Sequence, residues 1–274
     1  MEIDSQFAQT RIAVVAHVFY LDIWPEIKSC IDNFVAVCGS GNVDLFLSFP
    51  KEFVPNNQLE CNSCRTRKFA LPNRGHDVGP FIYILSTLNL DDYDYIVKLH
   101  TKRDVDSWFN FRKWKGPEWR RELLSFCSTK KATLRSIRAL AKYPLLGMVA
   151  ASGVVDPCGA GIDFDNWDRV DGILARCGIE RKGKVMVYGT MFMVRAELMK
   201  PIQGRFSFDE FDDISSANPH YAGLAGEMEF AFGCLVSSQG YRVGRGKLGS
   251  ALKSVVFIAL RKISTALRNR KVAI

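Results

Sequence analysis

Between residues 95 and 103 the sequence YIVKLHTKR passes from apolar to cationic within one short stretch. In an extended segment successive side chains alternate faces, so Lys98, His100 and Lys102 project to one side, with Thr101 between the last two. Ligands of open α/β sheets bind beyond the carboxyl ends of strands. Three cationic or protonatable groups there make a seat for an anion, and a diphosphate is the obvious candidate. The same residues could instead form a charged edge-strand face that discourages pairing. Upstream, residues 72–80 (PNRGHDVGP) form a Gly-rich, charged turn that opens a helix. In that turn Arg74 could pair bidentately with a phosphate, and Asp77 could accept hydrogen bonds from a base or sugar, with Asn73 alongside. The structural alternative is that Asp77 caps the helix while Gly75 and Gly79 supply unusual φ values. No Gly-Lys-Ser/Thr follows, so the turn is not a phosphate-cradling P-loop.

The elements that must carry these groups alternate. Residues 11–20 are a near-continuous apolar run, as in a strand buried on both faces. A helix through Phe34 follows, with Asp22 as N-cap and Pro25 in its first turn. Strands are expected at 43–49, 68–71 and 95–99, with a helix at 81–90 before the last of them. This order predicts an α/β sandwich around a mostly parallel sheet. Further on, residues 104–117 suit an ordered loop, 118–128 and 134–143 amphipathic helices, and 147–151 a buried strand. Residues 156–171 form an Asp-rich loop. Residues 185–195 form an apolar strand broken at Gly189-Thr190, and 224–239 a helix stopped by Gly240.

The 274 residues, 47% of them hydrophobic, suit one large domain or a domain with an appendage. The net charge of +8 is uneven: residues 245–274 hold eight Lys or Arg and no acid, leaving 29 basic against 29 acidic residues in the body. A neutral body argues against a nucleic-acid-binding core. Within that segment the apolar residues 248, 252, 255, 256, 259, 260, 263 and 267 fall at helical spacing. This suits a basic amphipathic helix lying on an anionic membrane surface, or alternatively a terminal helix packed on the domain. The expected division is 1–244 as the globular domain and 245–274 as this tail. No signal peptide or transmembrane stretch is expected. The eight cysteines are scattered, and reduced thiols are expected. Cys61-Asn62-Ser63-Cys64 alone has metal-like spacing, without a second pair.

Four motifs together carry a resemblance: Asn73-Arg74-Gly75-x-Asp77-x-Gly79-Pro80, Lys98-x-His100-Thr101-Lys102, Trp119-Arg120, and Gly189-Thr190-Met191-Phe192. Over roughly residues 10–243 the chain resembles the rhamnan synthesis protein F family, glycosyltransferase-like proteins of bacterial surface-polysaccharide and O-chain synthesis. More loosely it resembles the nucleotide-sugar-binding GT-A fold. That fold has an Asp-x-Asp metal motif where this chain has His100-Thr101-Lys102. The resemblance therefore implies a transferase whose fixed cations replace the metal. Asp104 and Asp106, just downstream, are the alternative place for a divalent cation.

By the same resemblance Asn73, Arg74, Asp77, Lys98, His100, Thr101, Lys102 and Arg120 would bind the donor and its diphosphate. Asp163, Asp165, Trp167, Asp168, Gly189 and Thr190 would face the acceptor. Glu229, with Glu227 as its alternate, matches the acidic helix of inverting transferases and would be the base. The implied reaction moves L-rhamnose from dTDP-L-rhamnose to a lipid-linked or growing glycan at the inner face of the bacterial cytoplasmic membrane. A non-catalytic glycan- or nucleotide-binding module is the alternative, and nucleic acid is not an expected partner.

Overall fold

A computed structural model of the chain describes residues 7–53, 59–104, 107–109, 112–156, 167–214 and 223–245. Asp106, Asp163, Asp165 and the basic segment from 246 onward lie outside the described residues.

The first apolar run forms β1 (Ile12–His17), buried along its whole length as a strand covered on both faces must be. It pairs in parallel with β2 (Val43–Pro50) on one side and β4 (Tyr95–His100) on the other. The strand β3 (Arg65–Leu71) lies parallel to β2 at the edge, longer than expected because its pairing begins opposite Asp44. Its alternating exposure carries Arg65, Arg67 and Lys68. The charged edge therefore falls on β3, while Lys98 and His100 belong to a buried central strand.

The helix α1 (Trp24–Cys38) links β1 to β2. It starts after a 3-10 turn at Leu21–Ile23, so Ile23 and not Asp22 occupies its N-cap, and it continues past Phe34 to Cys38. The helix α2 (Val78–Thr87) brings the chain from β3 back across β1 to β4. With β2 and β3 on one side of β1 and β4 on the other, the strand order reverses between β1 and β4. This is the topological switch point, and open α/β sheets bind their ligands in the crevice beyond the carboxyl ends of such strands.

Downstream elements complete a seven-stranded mixed sheet. A hairpin of β5 (Ser107–Phe109) and β6 (Arg112–Trp114) occupies the segment expected as loop. Then come α3 (Glu118–Leu124), α4 (Lys130–Lys142), β7 (Leu146–Ala150), β8 (Val155–Asp156) and α5 (Trp167–Arg176). The expected strand at 185–195 is two: β9 (Met186–Val187) pairs with β8, and β10 (Phe192–Arg195) enters the main sheet antiparallel to both β4 and β7. The division is made by Gly189 at φ 72° and Thr190 at φ 49°, which turn the chain between them. The helix α6 (Gly223–Ser238) ends near Gly240 at φ 89°. It is followed by β11 (Arg242–Arg245), an unexpected strand parallel to β7. The main sheet order is β3-β2-β1-β4-β10-β7-β11. Helices α1 and α4 pack together, as do α2 and α6. Right-handed crossovers put α1 and α2 on opposite faces.

The turn before α2 is tight for a local reason. Gly75, at φ 63°, lies under the Phe211 ring, and a Cβ on Gly79 would meet the Arg74 carbonyl oxygen at 2.5 Å. Gly79→Ala is therefore expected to destabilise the fold by about 1–3 kcal/mol in urea titration, although alanine is intrinsically the better helix former. A stabilised variant would show that the turn simply backs away.

Candidate functional site

The carboxyl ends of β1 and β4 stand side by side, with His17 in register opposite His100. Thr101 latches them. Its backbone N–H donates to the His17 carbonyl at 3.0 Å, and its hydroxyl accepts the N–H groups of Phe19 and Tyr20 at 2.9 and 3.0 Å. Thr101 thus holds the loop after β1 in place.

Under this crevice lies a buried ion pair. Lys98 is only 1% exposed, and its ammonium donates to the Asp77 carboxylate and, at 2.8 Å, to the Thr190 hydroxyl. That hydroxyl donates in turn to the same Asp77 oxygen at 2.5 Å. Asp77 sits at the N-cap position of α2, but its side chain makes no capping bond and turns inward to Lys98 and Thr190. Burial alone would raise the Asp77 carboxyl. His100 and Lys98 beside it, with hydrogen bonds from Lys98 and Thr190, outweigh that and hold it well below the usual carboxylate range. Desolvation lowers Lys98, against the opposing pull of Asp77.

His100 has its Nδ1 3.2 Å from an Asp77 oxygen, yet outside hydrogen-bonding geometry. Neither ring nitrogen has a hydrogen-bond partner among the described residues. Desolvation holds it well below its ordinary value of 6.5 despite Asp77, so the imidazole is neutral near pH 7. His17 is likewise pushed down by burial, to about 4, and its Nδ1 lies 3.0 Å from the Ser48 hydroxyl. Lys102 is half-buried, and its charge acts on Lys98, His100 and Glu229.

Glu229 reaches the same crevice from α6. One of its oxygens accepts the Gly189 N–H at 2.6 Å. Desolvation raises its carboxyl, partly offset by that bond and by the nearby lysines. At Gly189, φ 72°, a side chain would be strained and its Cβ would fall 2.5 Å from a Leu123 methyl, which would have to move. Thr190 holds a left-handed conformation, rare for a β-branched residue, which places its hydroxyl between Lys98 and Asp77.

Several other expected site residues are placed elsewhere or tied to the protein itself. Asn73 donates to the Ile214 carbonyl at 3.3 Å, and Arg74 forks onto Asp213 at 2.8 and 3.1 Å, so both anchor the segment before residue 215. Arg120 grips Glu26 through two bonds of 2.9 Å, the Lys102 carbonyl at 3.1 Å, and Asp104. Glu227 pairs with Arg169 of α5 at 2.5 Å. Trp167 starts α5 with its ring edge-on to Phe230 and under Arg181 and Lys184, and Asp168 is exposed beside it. His17, on an apolar strand where packing and a hydrogen bond are the ordinary expectation, has both, and its place beside His100 depends on β1 and β4 being neighbours. The signal available was a histidine closing each of two apolar strand runs.

Asp77, Lys98, His100, Lys102, Thr190 and Glu229 therefore converge at the switch point of an α/β sheet, as in proteins of this class that bind ligands there. The chain belongs to the rhamnan synthesis protein F family, whose sequence profile matches residues 1–220. It is 23% identical over 246 residues to the "Uncharacterized protein WxcX" of two strains of Xanthomonas campestris pv. campestris. These matches cover 88% of this chain and 34% of each relative, so the chain spans roughly a third of their length.

The two buried neutral histidines make stability depend on pH. In the unfolded chain they take up protons below about 6.5, whereas in the fold they resist doing so. The stability these two histidines contribute is thus complete above pH 6.5 and falls on acidification, by about 1.4 kcal/mol per unit for each. The raised Glu229 carboxyl acts in the opposite sense and the lowered Cys61 thiol in the same sense. Urea titrations between pH 7 and 5 of parent and His100→Gln should differ in slope by about 1.4 kcal/mol per unit. An unchanged slope in the variant would assign the effect to other groups.

Proposed function

We propose that this chain is a glycosyltransferase domain with a GT-A-like fold, which transfers a sugar from a nucleotide-sugar donor to a glycan acceptor. L-rhamnose from dTDP-L-rhamnose is the donor that the family description favours, and a lipid-linked or growing surface polysaccharide is the acceptor. The observation that carries the reading is the group of side chains gathered at the carboxyl ends of β1 and β4. There the raised carboxyl of Glu229, the half-buried Lys102 and the unpartnered nitrogens of His100 surround one locked ion pair.

In the reaction the acceptor hydroxyl attacks the anomeric carbon, and the bond from that carbon to the diphosphate oxygen breaks. Glu229 takes the hydroxyl proton, and a carboxyl whose affinity for protons is raised by desolvation suits that task. Attack opposite the leaving group inverts the anomeric centre. Lys102 balances the charge growing on the diphosphate, while His100 offers one donor and one acceptor to donor groups. Lys98 supports this indirectly, because Asp77 meets its charge and the pair fixes the crevice floor. In this reading no metal ion is required, and Asp104 serves Arg120. The basic segment 245–274 would hold the domain on the inner face of the cytoplasmic membrane, within reach of a lipid-linked acceptor. Among the described residues no helix is long and apolar enough to cross a membrane.

A second reading, a non-catalytic nucleotide- or glycan-binding module, draws on the engagement of Arg74 and Arg120 by acids of the protein itself. Nucleoside diphosphate release from a panel of nucleotide sugars, with and without chelator and with lipid-linked glycan as acceptor, separates the two. Chelator-resistant release from one donor is expected. Donor binding without release would favour the module, and chelator-sensitive release would return attention to Asp104 and Asp106.

Two variants test the roles. Glu229→Gln should lower turnover by about 10²–10⁴-fold with donor affinity kept. Because ionising this desolvated carboxyl costs the fold, the variant should also be more stable than the parent at pH 7 and converge with it as pH falls through the raised folded-state pKa to 4.5. Full activity would disqualify Glu229 as the base. Lys102→Ala should weaken nucleoside diphosphate binding by roughly tenfold or more in calorimetry. Unchanged affinity would remove Lys102 from the diphosphate seat.

A further inference from the structure

The Cys61–Cys64 stretch takes no part in the crevice, yet it is built with some care. Asn62 and Ser63 form a turn just ahead of β3. A turn of this kind brings its first and fourth Cα atoms within about 7 Å, a range that overlaps the roughly 4.4–6.8 Å a disulfide spans. The Thr66 hydroxyl pins both ends, donating toward the carbonyls of Cys61 at 3.1 Å and Cys64 at 3.3 Å. The Cys61 sulfur lies 3.2 Å from the Ser63 hydroxyl, which donates to Asp32 of α1 at 2.7 Å. Lys28, one turn earlier, holds the other oxygen of Asp32 at 3.0 Å. Cys61 is buried, whereas Cys64 alone among the described cysteines is partly exposed.

We propose that Cys61 and Cys64 form a redox-active dithiol, which reduces small-molecule disulfides and closes into an intramolecular Cys61–Cys64 disulfide. The two thiols hold one proton between them. The neighbouring Cys64, then burial opposing it, then the backbone N–H of Ser63 set the Cys61 thiol, which is lowered to about 6, while Cys64 is raised. By contrast, burial pushes Cys38, Cys127, Cys177 and Cys234 up. The exposed Cys64 sulfur attacks the incoming disulfide as its proton passes to the Cys61 thiolate, and one small thiolate leaves. That thiolate takes the proton from Cys61, and the Cys61 sulfur then attacks Cys64, expelling the second small thiolate. The dithiol is oxidised by two electrons and the external disulfide is reduced to two thiols, one of them still ionised until it takes a proton from water.

The test is to incubate the reduced full chain with oxidised glutathione and map the products by peptide mass spectrometry. The parent should lose two hydrogens in a Cys61–Cys64 link and retain no glutathione. Cys61→Ser, which lacks the resolving sulfur, should instead keep a stable glutathione adduct on Cys64. A glutathione adduct persisting on Cys64 in the parent, or no change at either sulfur, overturns the proposal. A second readout is iodoacetamide labelling of the pair against pH. The parent profile should have its midpoint near pH 6, shifting toward about 8.5 for Cys64 in the Cys61→Ser variant. Coincident profiles would overturn the shared proton on which the exchange depends.

Discussion

A lysine ammonium and an aspartate carboxylate are buried together beneath the crevice, and the surrounding architecture is arranged around their cost. Moving two charges out of water carries a penalty of several kcal/mol for each ion, which mutual attraction offsets only when the geometry and hydrogen bonding are good. Lys98 and Asp77 meet that condition because Thr190 supplies a third member that accepts from one and donates to the other. Each member comes from a different element: β4, the entry to α2, and the turn between β9 and β10. The pair therefore ties three remote segments to one point. The left-handed backbone of Thr190, costing on the order of 1–3 kcal/mol, persists because its hydroxyl is held from both sides.

Around that point a division of labour appears among the charged groups. Arg74 and Arg120 carry the fork geometry suited to phosphate, but in this fold they meet carboxylates of Asp213, Glu26 and Asp104. Glu227 meets Arg169. These pairs brace the segment before residue 215, the loop after β4, and the packing of α5 on α6. What faces the crevice is smaller: two neutral imidazoles, the half-buried Lys102 and the raised carboxyl of Glu229. Two carboxyls with opposite shifts thus lie near each other, Asp77 held down by its cationic partner and Glu229 pushed up by desolvation. Environment alone sets the proton affinities of these two carboxyls apart.

The antiparallel strand β10 enters the main sheet beside β4. Were the chain to continue straight from β9, Gly189 and Thr190 would lie on a strand interior. The turn instead directs the Gly189 N–H at Glu229 and the Thr190 side chain at Lys98. One local departure from regular backbone thereby links the ion pair to α6.

Much of this protein was legible in its residues. The apolar runs at 11–20, 43–49 and 95–99 announced strands because burial on both faces leaves no room for alternation. The turn at 73–80 and the cationic strand end marked the site, since charged side chains beside apolar strands require partners. The family, too, could be recognised from motifs. What the linear order could not settle was which charges meet. The partner of Lys98 lies 21 residues away and the partner of Arg74 lies 139 away. Such choices depend on strand order, which is set by long-range packing and not by local propensity. The same reason explains β11, whose short strand exists only because β7 offers it an edge. Sequence determined the residues available for chemistry; tertiary structure decided which were consumed in holding the fold and which were left facing the crevice.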